Sequence, residues 1–135
     1  MRRSLTLLAV LSALFVVADA SAAHREYGFA FGRTGGNIRP YTVHIANTGI
    51  VTVRGPVLVG RKVLAPVQIG RLNLKSVEVD FAHLPQARNC ARALPDVAYT
   101  FIRVGARTVR VRGTCVPGYT RLWTALARAV KLETS

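Results

Sequence analysis

Residues 97–132 read VAYTFIRVGARTVRVRGTCVPGYTRLWTALARAVKL, and this stretch decides the fold. Aromatic and β-branched residues dominate Val97 to Val104, which predicts a strand. Gly105-Ala106 is a two-residue reversal, and Arg107 to Arg112 returns as the partner strand. Val109 and Val111 alternate with Thr108, Arg110 and Arg112, so one face of this hairpin is apolar and the other basic and solvated. Tyr99 and Phe101 alternate with Ile102, a pattern that leaves open whether the two rings lie in the core or beside the arginines. Pro117 suits the first turn of a helix, predicted from about Gly118 to Val130 or Leu132. Leu122, Leu126, Ala129 and Val130 form its apolar stripe, flanked by Tyr119 and Trp123. Such a helix covers the apolar face of the sheet.

Toward the N-terminus the same alternation recurs. Phe29 and Phe31 alternate with Ala30 and Gly32, predicting a strand over 27–33 that Thr34-Gly35-Gly36-Asn37 breaks. Pro40 precedes a second strand, 41–46, with Val43 and Ile45 on one side. Asn47-Thr48-Gly49 turns the chain into a third, 50–54. Val57 to Val59, between Pro56 and Gly60, reads as a short edge strand. Residues 66–81 fit two periods. Ile69, Leu72 and Val77 follow a helix, whereas Val77, Val79 and Phe81 follow a strand; the helix over 66–81 is the favoured expectation. The predicted fold class is α+β: a small antiparallel sheet built from two hairpin regions, packed against one or two helices.

The first residues carry an address. Arg2 and Arg3 precede an apolar run, Leu5 to Ala18, and small-x-small patterns follow at Ala18-Asp19-Ala20 and Ala20-Ser21-Ala22. This is the pattern of a secretory signal peptide. Its run is shorter than the ~20 residues that cross a bilayer. Residues 1–22 are therefore expected to be removed, with cleavage after Ala20, Ala22 or Ala23. Residues 23–135 form one secreted domain, extracellular or associated with the cell wall, and monomeric. Export to an oxidising compartment gives the two cysteines, Cys90 and Cys115, one role, a disulfide. The bridge closes a loop of about 25 residues, worth roughly 3 kcal/mol by loop entropy.

The chain carries 19 basic and 6 acidic residues, a net charge of +13. Arg2, Arg3 and Asp19 leave with the signal peptide, so 17 basic and 5 acidic residues remain. Most of the cations are arginine, whose planar fork suits carboxylates and phosphates. His24, His44 and His83 lack ligand spacing, so no metal is expected. No cofactor motif is present, and no nucleophile motif or acid–base pair rises above a solvated surface. A non-enzymatic binding protein is the expectation. Gly32-Arg33-Thr34-Gly35-Gly36 reads as a hairpin turn, or as a loop that holds an anion or a partner. Arg103, Arg107, Arg110 and Arg112 of the basic hairpin can combine with Arg33, Arg39 and Arg54. The candidate binding residues are Arg33, Gly35, Gly36, Asn37, Arg39, Arg110 and Arg112. The expected partner is an extracellular protein or a polyanion; no specific nucleic acid is expected, since an export signal argues against a genomic target.

The order of these features is itself a pattern. It runs F-x-F-x-R-x-G-G over Phe29 to Gly36, a hairpin, a segment ending Phe81-Ala82-His83-Leu84-Pro85, a cysteine, the hairpin ending Arg107-Thr108-Val109-Arg110-Val111, and a terminal amphipathic helix. It resembles small exported proteins of actinobacteria. More distantly it resembles the emfourin-type inhibitors of thermolysin-like metallopeptidases, which share the early R-x-G-G and the late hairpin–helix order. That resemblance implies an inhibitor-like module acting through exposed loops, here Thr34 to Pro40 and Asn47 to Gly49. The chain departs from those inhibitors in its strong positive charge and in lacking a Leu- and Ala-rich central helix. The alternative function is electrostatic attachment of a basic protein to cell-wall or membrane polyanions.

Overall fold

A computed structural model describes residues 28–133; the predicted signal peptide lies outside the described residues. The elements in chain order are β1 (Phe29–Thr34), β2 (Tyr41–Ile45), β3 (Val51–Arg54), β4 (Leu58–Val59), α1 (Pro66–Glu78), β5 (Ala87–Asn89), β6 (Tyr99–Val104), β7 (Arg107–Arg112), α2 (Pro117–Val130) and β8 (Leu132–Glu133). Six strands form one sheet in the order β3-β2-β1-β6-β7-β5, and β4 pairs with β8 in a separate two-stranded ribbon. The fold is α+β, with two helices and the expected bridge between Cys90 and Cys115, whose Cα atoms are 5.7 Å apart. No helix among the described residues is long and apolar enough to cross a membrane.

The two hairpin regions meet through β1 and β6, which pair antiparallel over their full lengths. One correction concerns the sheet as a whole. It is mixed, because β5 runs parallel to β7. This strand is short, exposed along its length and without alternation, so burial does not hold it. Backbone groups do: Arg110 donates its N–H to the Gln86 carbonyl, and Cys90 donates to Arg112. The disulfide ties down its far end. A second correction concerns α1, which ends at Glu78 rather than Phe81. Asp80 adopts a left-handed φ of 52°, and a single 3-10 turn, Phe81–His83, follows. At the other end of α1, Pro66 takes the first turn and the Gln68 side chain accepts the Ala65 N–H at 2.9 Å.

The core lies between one face of the sheet and the helices. A row of paired positions, Val43–Phe31–Ile102–Val109, crosses four strands. All four side chains are 0% exposed. From α2, Tyr119, Leu122, Leu126 and Val130 close over this inner face. The Trp123 ring meets Phe31 edge-on, with centroids 5.2 Å apart. Tyr119 is a core residue rather than a flank. Its hydroxyl donates to Thr100 Oγ1 at 2.9 Å, and Thr100 donates to the Val111 carbonyl at 3.1 Å. Burial pushes this hydroxyl's pKa up, so it stays neutral and can hold the helix to two strands.

α1 packs against α2 and buries Ile69 and Leu72, while Val67, Leu74 and Val77 on its other side are exposed. The α2 C-terminus turns at Lys131, where φ is 51°. Carbonyls left unpaired there are met by the β4 side of the molecule. Gly60 and Arg61 donate backbone N–H groups to Lys131 and Val130, and the Arg61 side chain donates to Ala129 at 3.1 Å.

Candidate functional site

With the inner face of the sheet covered, strand alternation dictates what stands on the outer face. The pairing register arranges these side chains in rows. One row runs Arg54–Thr42–Gly32–Phe101–Arg110 across β3, β2, β1, β6 and β7. The next runs Thr52–His44–Ala30–Arg103–Thr108. At the β1–β2 loop end, Thr34 pairs with Tyr99, and the Arg112 guanidinium lies over the Tyr99 ring, 4.1 Å from its centroid.

The central strand gives this face its shape. Ala30 and Gly32 are the smallest side chains in their rows, so β1 floors a shallow trough between β2 and β6. At one end the trough opens into a cavity of about 400 Å³ lined by Gly28, Ala30, His44, Thr52, Arg103 and Ala106, among others. Gly32 is required by close approach. A Cβ there would run into the Tyr41 carbonyl and come within 3.0 Å of Phe101 Cε1. The Phe101 ring therefore leans over the trough and is half-buried rather than standing free.

The electrostatics of the face are one-sided. Arg54, Arg103 and Arg110 are exposed and Arg112 is half-buried. Among the described residues the ion pairs are Lys75–Glu78 and His83–Asp80, both on α1 and the turn after it. No carboxylate among the described residues thus lies within ion-pair distance of the outer-face arginines. His44 senses this field. Partial burial, then Arg103, then Arg54 hold its pKa below the usual 6.5.

Two of the residues singled out from the sequence, Arg110 and Arg112, are brought together here with Arg54 and Arg103. Arg33 is not. It shares the parity of Phe31 and lies on the inner side beside Tyr41, whose pKa burial raises and the Arg33 charge counteracts. Arg107 also faces inward, donating Nη2 to the Leu84 carbonyl. Gly35, Gly36, Asn37 and Arg39 form the exposed β1–β2 loop. Gly36, at φ 66°, presses against the backbone of Asp96 and Ala98, where a Cβ would not fit. β6 begins at Tyr99 rather than Val97 because its partner β1 ends at Thr34, the residue paired with Tyr99.

Tyr99 and Phe101, whose side the sequence left open, stand on the outer face, and so does His44, which it did not single out as a binding residue. For the two rings a signal was present. A two-residue turn at 105–106 pairs Val104 with Arg107, and counting outward puts Phe101 opposite Arg110. For His44 the sequence held none, because its place depends on β1 lying between β2 and β6. Among the described residues, no group of three or more His, Cys, Asp or Glu side chains converges as a metal site would require. Comparisons of the chain with protein-family models, with curated proteins and with solved structures gave no match.

Proposed function

We propose that this is a non-enzymatic binding protein, acting outside the cytoplasm, that attaches through its outer sheet face to a polyanion. The observation that carries this reading is the gathering of Arg54, Arg103, Arg110 and Arg112 on one face, with no carboxylate within ion-pair distance of them among the described residues. Such a field concentrates anions and speeds their capture. The arginine fork adds paired hydrogen bonds to phosphate or carboxylate oxygens. Attachment to a wall or membrane polymer needs no further chemistry.

His44 provides the test. In the free protein its depressed pKa means that stability held above pH 6.5 is lost as the pH falls through the folded-state value. A polyanion on this face cancels the repulsion from Arg103 and Arg54 and favours the protonated ring. Binding should then take up a proton at His44, and affinity should rise on acidification below about pH 6.5. NMR titration of the His44 ring with and without inorganic polyphosphate measures this. An upward pKa shift on binding is expected; an unchanged pKa would place the anion elsewhere.

A second reading, inhibition of an extracellular peptidase, is favoured by one observation. The β1–β2 loop is exposed, and Gly36 braces it against residues 96–98, so it could enter an active-site cleft without being ordered at the moment of binding. Assays against thermolysin-like metallopeptidases decide this. Inhibition that disappears when Asn37 and Arg39 become alanine supports it, and absence of inhibition at micromolar protein removes it.

A further inference from the structure

We infer that the polyanion carries flat rings, and that the outer face takes single-stranded nucleic acid without sequence preference. The inference rests on the polyanion reading and adds the ligand class. Charge alone can hold a polyanion such as polyphosphate, whereas aromatic side chains among the arginines add flat surface on which rings can stack. Here two stand there. Phe101 lies between Gly32 and Arg110 in one row, and Tyr99 lies two residues before it on the same face. Neither takes part in the apolar cluster between sheet and helices.

The geometry suits bases in particular. Same-face positions on a strand are about 6.6 Å apart, so successive unstacked bases can settle on successive rings. Phe101 reaches over Gly32, with Cε1 3.0 Å from where a Cβ would stand, and its ring is only partly buried. At Tyr99, the stacked Arg112 guanidinium extends the platform with a second flat, cationic group. Arg103 and Arg110 flank the rings and are exposed to meet phosphates. A duplex hides its base faces, so this arrangement favours a single strand. Nothing in it reads base edges, which fits binding through stacking and phosphates.

The test is fluorescence anisotropy of the purified protein with a labelled oligothymidylate, competed by inorganic polyphosphate and by a DNA duplex of the same length. The expected result is affinity for the single strand about 10-fold or more above that for polyphosphate of matched charge. Phe101→Leu should cost about 10-fold toward the oligonucleotide and leave polyphosphate unchanged, while Phe101→Tyr retains both. Tyr99→Leu gives the same comparison at the second ring, and the thermal midpoint of each variant shows that it is folded. Equal affinity for the two single-chain polyanions, insensitive to both leucine variants, overturns the ligand class but leaves the polyanion reading standing. Preference for the duplex overturns it as well. Failure to bind any of the three overturns both.

Discussion

Replacing Arg54, Arg103 and Arg110 together by glutamate is expected to lower affinity for inorganic polyphosphate at least about 100-fold at low salt. The effect is large because each change removes one favourable charge and adds one unfavourable charge on the same face. Those three side chains lie in two adjacent rows, so one polymer segment meets all of them. The fold should not suffer. All three are exposed, and none takes part in an ion pair among the described residues, so the stability change should stay within about 0.5 kcal/mol per site. The His44 pKa should rise in this variant even without ligand, since two causes of its depression are gone. Isothermal titration of variant and wild type measures the affinity. An undiminished affinity would mean that the outer face is not where the anion sits.

Phe31→Ala is expected to destabilise the fold by about 3–5 kcal/mol. Phe31 sits on a central strand, is fully buried, and meets Val43 and Ile102 in its row and Trp123 from α2. Its truncation opens a cavity where the two hairpin regions and α2 meet. Domains of this size hold a margin of about 5–15 kcal/mol, so the thermal midpoint should fall by on the order of 12 °C or more. Urea unfolding of the oxidised protein, with the Cys90–Cys115 bridge intact, reads the change directly. A loss below about 1 kcal/mol would contradict the packing described for this row.

The parts of the fold legible from the sequence share one physical property, side-chain burial with a clear period. The β6–β7 hairpin, α2 and the β1–β3 meander each alternate or repeat cleanly, and the export pattern made the disulfide the natural role for two cysteines. β5 was illegible because its residues 87–89 are exposed and are held by the backbone of β7 and the adjacent bridge. The β4–β8 ribbon was half legible: Val57 to Val59 read as an edge strand, but its partner is two residues beyond a helix end and carries no pattern of its own. The end of α1 depended on the left-handed Asp80, a residue type tolerated there but not required.

The candidate site divides in the same way. Arg110 and Arg112 share a face because alternation within one strand dictates it, with Arg110 exposed and Arg112 half-buried. Grouping Arg33 with them overlooked its parity with Phe31, which turns it inward. The aromatic character of the face was partly legible, through the β6–β7 hairpin, and the rest needed the pairing of β6 with β1. The turn at 105–106 already sets Phe101 opposite Arg110, but its place over Gly32 depends on the β1–β6 pairing.

The most direct test of the central claim, that this face binds polyanions through its arginines, is the salt dependence of polyphosphate affinity in wild type and in the Arg54→Glu, Arg103→Glu, Arg110→Glu variant. Four arginine–phosphate contacts predict that log affinity falls with log salt at a slope of about −3 in the wild type, shrinking to about −1 in the variant. A slope near zero in the wild type, or the same slope in both proteins, would contradict the account.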